Sequence, residues 1–427
     1  MKKTSIKLFS FGRKFGAAAL LLAASFVAGC AEDPSPTQSD QYAEDFQHRP
    51  APVVSSISPD NSSIAGVGIV TISGSGFSTV PAENIVYFGG KPGTVLSASA
   101  TQLVVKAPNN PKDSLDIKIA LRYSENFSNS IVKFKLIPAV TEINKLKDTK
   151  YYALAADNSG NLYAQVTGKG DANLGFWKIS PDGTVDKSFA PKAVNLFNSM
   201  KVGPGGKLYG AIRKAVIYEI TQGSTKPFVS SGLGNINDFD FDQNLNIWAG
   251  GKDNTSIYRI GYNDKKIEKF AFDEDVLAVR VFDNYLYIAS QKNSVQSIWR
   301  FKINGSSLGE KELYFDYTTK YGNENSITAI TFSSNGSLLV GVTGTDKTKT
   351  YEPFILIAPD KSSSFFYQEL VADKIYTGGV VSLTWGAGDN IFYVREFATK
   401  QSDGSSLTTQ EIVKVLSQMQ SAPYFGR

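Results

Sequence analysis

A turn followed by an apolar pair, in most cases ending in an aromatic residue, recurs six times along the larger C-terminal part of the chain. No other feature of the sequence constrains the fold as strongly. The six stretches are Ala153–Tyr163, Met200–Tyr209, Phe239–Trp248, Val279–Tyr287, Ile330–Leu339 and Leu383–Phe392. Their terminal pairs begin at 162, 208, 247, 286, 338 and 391, at steps of 46, 39, 39, 52 and 53 residues. A third β-rich run follows each pair: Phe176–Ile179, Val216–Ile220, Ile257–Ile260, Ile298–Ile303, Phe354–Ile357 and Ile412–Val415. A weaker fourth run follows, as at Ile267–Phe270. Four strands per repeat of roughly 40–50 residues imply the blades of a β-propeller, and six blades lie within the usual range. Alternating apolar and polar residues suit sheets packed face to face, and Gly and Asn in the turns supply left-handed backbone positions. Val140–Asn144 is either a linker strand or the strand that closes the last blade.

The stretch before the repeats, residues 51–138, carries short β-rich runs at Val53–Ile57, Val67–Ser73, Ile85–Phe88, Leu103–Lys106, Leu115–Leu121 and Ile131–Leu136. Gly, Pro, Asn and Asp punctuate them, the pattern of an immunoglobulin-like β-sandwich. Four ordered blocks carry a closer resemblance: Pro52-Val53-Val54-Ser55-Ser56-Ile57-Ser58-Pro59, Val70-Thr71-Ile72-Ser73-Gly74-Ser75-Gly76-Phe77, Asn84-Ile85-Val86-Tyr87-Phe88-Gly89-Gly90 and Thr101-Gln102-Leu103-Val104-Val105-Lys106-Ala107-Pro108. They resemble the IPT/TIG family, with Asp60-Asn61-Ser62-Ser63 where a Gly-rich turn is usual. The resemblance implies a spacer or an adhesion module. Residues 139–427, the expected six-bladed β-propeller, resemble NHL-type and gluconolactonase-like propellers in pattern, without sharp motifs. The fold class expected is therefore all-β, an immunoglobulin-like β-sandwich followed by a six-bladed β-propeller.

Residues 1–29 have the layout of a signal peptide: Lys2, Lys3, Lys7, Arg13 and Lys14, then the apolar run from Ala17 to Ala28. Val27-Ala28-Gly29-Cys30 resembles a bacterial lipobox. The resemblance implies that the Cys30 thiol takes a diacylglycerol and that cleavage precedes it. A second acyl chain on the new amino group would make the anchor stable. Glu32-Asp33 resembles the surface-export signal of lipoproteins in polysaccharide-degrading Gram-negative bacteria. The expected location is the outer membrane, lipid-anchored and facing outward. Residues 30–50 are polar and Pro-containing and read as a flexible tether. The formal charge of +4 belongs to the leader, because removing residues 1–29 leaves 39 basic against 40 acidic residues. A nucleic-acid partner is thereby disfavoured.

The chain has one Cys and one His, His48, which falls on the tether. That excludes an internal disulfide, a multi-histidine metal site and a histidine-based triad in the folded part. Lyases on related propellers depend on histidine ligands, which this chain lacks. The gluconolactonase-like resemblance implies a metal held around the axis, for which Asn198, Asn237, Asp238, Asp275, Glu324 and Asn325 are candidates, although such residues also form ordinary turns. Asp238, Asp240 and Asp242 alternate along one strand. They suit either a calcium site, since hard cations take oxygen ligands, or a half-solvated strand face. No other cofactor is implied. A carboxylate pair for glycoside hydrolysis has no local motif here.

Aromatic rings stack on sugars while polar groups hold the hydroxyls. All four tryptophans, Trp177, Trp248, Trp299 and Trp385, fall in the repeats, but on strands, where packing between blades is the simpler use. Loops between second and third strands gather on one propeller face. Three read as long, Thr167–Gly175, Thr343–Glu352 and Arg395–Gln410, and contribute Asn173, Tyr351, Arg395 and Lys400. Shorter ones contribute Arg213, Lys252 and Gln291. The expected function is a surface binding protein that captures a glycan or another extracellular ligand, with the sandwich as spacer and an outer-membrane transporter as partner. No catalytic residue is assigned. The alternatives are a metal-dependent hydrolase or lactonase on the propeller, and a protein-binding adhesion scaffold.

Overall fold

The structure is a computed structural model and is described for residues 49–122, 124–143, 149–212, 214–253, 255–371 and 376–424. The expected signal peptide, Cys30, His48, all but the end of the expected tether, and Arg213 lie outside the described residues.

Alternating burial along the first strands builds a two-sheet sandwich. One sheet orders Val53–Ser58, Ile69–Ser75, Gln102–Lys106 and Thr94–Ala98; the other orders Ser62–Ile64, Ile131–Ile137, Lys112–Leu121, Asn84–Phe88 and Lys91–Pro92. Their inner faces bury Val70, Ile72, Val86, Phe88, Ile117, Ile119 and Phe134 together. Three strands are absent from the sequence pattern. Ser62–Ile64 and Lys91–Pro92 span three and two residues, too short for a period, and Thr94–Ala98 has no fully buried residue. The sandwich is seated on the propeller. Val67 and Ile64 pack with Phe366, Leu370 and Val371 in one apolar cluster. Gly66, at φ +81°, comes so close that a Cβ there would stand 2.6 Å from Leu370 Cδ2. Lys106 and Glu369 pair across the junction at 3.1 Å.

Six sheets follow, five of four strands and one, the fourth, of five, in which Ser307–Leu308 and Glu312–Asp316 both pair with Val295–Asn304. Their innermost strands are Lys150–Ala156, Phe197–Val202, Asp238–Phe241, Asp275–Phe282, Asn325–Phe332 and Gly379–Trp385, and each adjoins the next in a closed ring. Val140–Ile143 pairs with Ser406–Leu416 (Val140 opposite Val415, Ile143 opposite Ile412). The strand that leaves the sandwich therefore completes the last blade from outside, which resolves the two roles the sequence allows it.

The repeated turn has a physical cause. In the first blade the Asp157 carboxylate accepts from Asn161 N–H and Nδ2 and from the Tyr163 hydroxyl. In the third, Asp242 accepts from Asn246 N–H and Nδ2 and from Trp248 Nε1. The aromatic ring fills the space between sheets while its polar end satisfies the turn carboxylate, so neither is buried without a partner.

Between blades, where no backbone ladder runs, buried side-chain amides stand in for one. Gln165 donates to Asn195 O and accepts from Phe197 N–H; Gln296 donates to Asn325 O and accepts from Ile327 N–H; Gln410 accepts from Tyr151 N–H. Each amide serves the start of the next innermost strand.

Several loop expectations are corrected. Gln291 lies within the strand Tyr285–Lys292 and Asn173 begins the strand Asn173–Ile179, because their hairpins stay paired to the tip. Arg395–Gln410 is not a loop but most of a long hairpin, Asn390–Lys400 against Ser406–Leu416, paired out to Lys400 opposite Ser406. β-Branched and aromatic residues (Phe397, Thr399, Thr408, Thr409) carry the ladder outward, and only 401–405 turn. Arg395 lies inside this blade. Its Nη2 donates to Glu411 at 3.0 Å and stands 3.8 Å from Glu142 on the closing strand, so the guanidinium ties the closing strand to the blade it completes. Removing one member of a buried ion pair leaves an uncompensated charge, at a cost of about 3–5 kcal/mol. Arg395→Met is expected to lower the urea-unfolding free energy by that order. Arg395→Met combined with Glu411→Met is expected to recover most of it.

Candidate functional site at the propeller axis

The innermost strands begin around a cavity of about 420 Å³ at one end of the axis. Backbone hydrogen bonding is incomplete where six strands converge without pairing, so polar side chains line this mouth. Asn198 donates to Ile236 O at 3.1 Å, and Asn237 donates to Leu277 O at 2.5 Å. Gln291, Lys252, Ser326, Thr328 and Thr343 complete the polar lining, with the half-buried ring of Tyr152 on the wall.

Deeper in the channel lie four charges. Lys201 Nζ is 3.1 Å from Asp238, and Arg280 Nη1 is 3.7 Å from Asp240. Both carboxylates also accept backbone N–H groups from the next innermost strand: Asp238 from Val279 at 2.8 Å and Asp240 from Val281 at 2.9 Å. Burial holds Lys201 below the usual lysine range, with the like charge of Arg280 acting the same way. Burial pushes Asp240 above the usual aspartate range, against the opposing pull of Arg280 and Lys201. Desolvation works against charge on Arg280, but the surrounding Asp240, Tyr424 and Asp238 outweigh it and leave its pKa raised.

The far end of the axis is closed by the chain's own C-terminal segment. Ala422 N–H donates to Phe332 O, and Ser334 N–H donates to Gln420 O. The Tyr424 hydroxyl meets Thr331 Oγ1 at 3.1 Å, donates to Phe332 O and accepts from Phe332 N–H. The Arg280 guanidinium lies 5.1 Å from the Tyr424 ring centroid. The axial cavity is therefore closed behind by Tyr424. A larger cavity of about 990 Å³ opens on this second face. Its guanidinium, Arg300, is committed to Glu312 and to the faces of Tyr285 and Tyr314, and its rim is made of turn residues such as Asp283 and Asn284. The mouth at the other end is lined by Lys252, Gln291, Ser326 and Thr343 beside the committed Asn198, Asn237, Asp238 and Thr328.

Of the residues singled out from sequence, Lys252 and Gln291 line the mouth together, along with the axis candidates Asn198, Asn237 and Asp238. Asn173 is occupied locally, donating to Ala193 O and accepting from Gly175 N–H. Tyr351 accepts from Gly344 N–H at 2.7 Å, within its own loop. Asp275 accepts from Asp253 N–H, and Glu324 is exposed. Trp177, Trp248 and Trp385 are buried between sheets, and Trp299 Nε1 donates to Glu274 under Lys311, so these rings serve packing. Lys201, Arg280, Tyr152 and Tyr424 have no sequence signal. Each comes from a different strand or segment, and only closure of the ring brings them together.

The residues do not suit a resident metal. Lys201 supplies a fixed ammonium where a cation would have to meet Asp238, and Arg280 stands behind it. Asp242, the third carboxylate of the alternating run, is consumed by Asn246 and Trp248. Among the described residues no group of three or more His, Cys, Asp or Glu is placed to hold a metal ion.

Residues 52–136 match the profile of the IPT/TIG domain family. No curated protein matches the chain. Among solved structures, the chain is similar to an auxiliary nutrient binding protein from Bacteroides thetaiotaomicron (12% identity, 86% of this chain and 97% of that one, TM-score 0.45). It is also similar to a luciferin-regenerating enzyme (16% identity, 67% and 98%, TM-score 0.48) and to a streptogramin B lyase (14% identity, 64% and 96%, TM-score 0.42).

Replacing Tyr424 removes both a space-filling ring and the hydroxyl that satisfies the Phe332 backbone. Tyr424→Ala is expected to lower stability by about 2–4 kcal/mol and to speed hydrogen exchange at the Phe332 amide relative to amides of the first blade. Unchanged exchange at Phe332 would show that the C-terminal segment does not close the axis in solution.

Proposed function

We propose that the protein is a lipid-anchored extracellular binding protein that captures a glycan at the axial mouth of its propeller. The TIG domain carries the propeller at a fixed orientation. The observation behind this reading is the chemistry of the mouth. Amides and hydroxyls (Asn198, Asn237, Gln291, Ser326, Thr328, Thr343) converge beside one half-buried ring, Tyr152, in a cavity of about 420 Å³. Small-molecule sites are concave and fix orientation with a few placed polar groups. Asp238, the one carboxylate among the described lining residues, is tied to Lys201 and to Val279 N–H. A general acid or nucleophile would need that carboxylate free to exchange a proton or attack, so binding fits better than hydrolysis. A lipid anchor on Cys30 and an outward-facing location in the outer membrane agree with this use, and a captured glycan would pass to an outer-membrane transporter.

Polysaccharide-containing affinity gels and calorimetry with purified oligosaccharides test the reading. Tyr152→Ala and Asn237→Ala are each expected to weaken binding about 5–10-fold, the loss of one stacking surface or one hydrogen bond, with the far-UV spectrum unchanged. Absence of retardation across a broad polysaccharide panel would overturn it. The anchor is tested separately: Cys30→Ser is expected to move the protein from the membrane pellet to the soluble fraction. Retention in the pellet after carbonate washing would argue against lipidation at Cys30.

A further inference from the structure

We propose that the axial mouth selects an acidic sugar, a glycan residue bearing one carboxylate, through Lys252 at the rim and Lys201 at the base. This rests on the reading of the mouth as the glycan site. A charge balance along the axis supports it. Three cations lie there, Lys252, Lys201 and Arg280, and two carboxylates, Asp238 and Asp240. Asp238 is matched with Lys201, and Asp240 with Arg280. Each carboxylate spends a second oxygen contact on a backbone N–H. Both acids are therefore committed, and one positive charge is left over.

That charge is Lys252, which lines the cavity and forms no ion pair among the described residues. Asp275 accepts from Asp253 N–H, Asp253 is exposed, and Glu324 is exposed before its strand begins. None of the three lines the cavity.

Lys201 is the second half of the recognition. Its side chain is 13% exposed, and that remaining surface opens into the cavity. Held in a low-dielectric channel beside Arg280, this ammonium is destabilised by burial and by a like charge. A ligand carboxylate in the cavity relieves both costs. It also balances Lys252, so the occupied site carries no net charge along the axis. A neutral sugar leaves the surplus unmatched. A ligand with two or more negative charges overshoots it and meets the Asp238 carboxylate.

Calorimetry tests this with uronic acid trisaccharides (galacturonate, glucuronate and mannuronate) against their methyl esters, which match in shape and lack the charge. For at least one pair the acid is expected to bind about 10-fold or more tightly than its ester. Raising NaCl from low to high concentration should shrink that ratio. Lys252→Ala, at a partly exposed position, is expected to bring the ratio towards one; Lys252→Arg is expected to restore a preference for the acid. Lys201→Met adds a second reading if it folds. If esters bind as well as acids, or if Lys252→Ala leaves the ratio unaltered, the charge selection is wrong while the mouth remains a glycan site. If mutation of Asn237 and Tyr152 affects no glycan and neither acids nor esters bind, both this inference and the reading beneath it fail.

Discussion

The ring closes through a strand that belongs, by chain order, to the other end of the propeller. Blades contact only their neighbours, so an unclosed array of six would expose one sheet face at each end, and every side chain at the axis would lose a wall. Val140–Ile143 prevents this by pairing along Ser406–Leu416. The bond network around it shows how the seam is held. Arg395 reaches both Glu411 in its own blade and Glu142 on the incoming strand, while Gln410 accepts from Tyr151 N–H at the start of the first blade. An arginine at this place serves the seam, which accounts for its burial among carboxylates.

Closure creates the polarity of the axis. Innermost strands of adjacent blades approach but do not pair as a ladder, so their facing N–H and C=O groups need partners in a space too narrow for bulk water. Side chains from the neighbouring blade provide them. Asn198 and Asn237 donate to carbonyls, and Asp238 and Asp240 accept from amides two residues apart on the next strand. Acids placed for that purpose must then be neutralised, and Lys201 and Arg280 do so from the second and fourth blades. The same residues that would look like metal ligands in a list are thus parts of an inter-blade joint. Their commitment to that joint is what the proposed reading of the mouth as a recognition site rests on.

Much of the architecture could be read from the sequence because the repeat has a local cause. Asp157 with Asn161 and Tyr163, and Asp242 with Asn246 and Trp248, are complete devices within seven residues, so they leave a visible pattern. The third strands at Phe354–Ile357 and within Val295–Asn304 are equally local. The long hairpin of the last blade was less legible, since polar and β-branched residues past Arg395 look like a loop until a partner strand at the matching register is known. The axial site was legible only in part. Lys252 follows from its place after a second strand, and Gln291, expected on a loop, lies instead within the second strand Tyr285–Lys292, but Lys201, Tyr152 and Arg280 are single residues on three blades with no shared spacing. Tyr424 lies 92 residues from the strand end it caps. No window along the chain contains such a site.

The sandwich and the seam are one continuous piece of chain. Ile131–Ile137 is a strand of the second sheet of the sandwich, and Val140–Ile143 is already the outer strand of the last blade. Only two residues separate them, too few to act as a hinge that swings freely. A second contact, made by Gly66, Val67 and Lys106 on Leu370 and Glu369, fixes the remaining rotation. With the sandwich held on the last two blades by that second contact, the strand that leaves it stays in register with the last blade. The domain that precedes the propeller therefore stabilises its closure, in addition to carrying it. The direction in which the axial mouth opens relative to the sandwich is set by the same two joints.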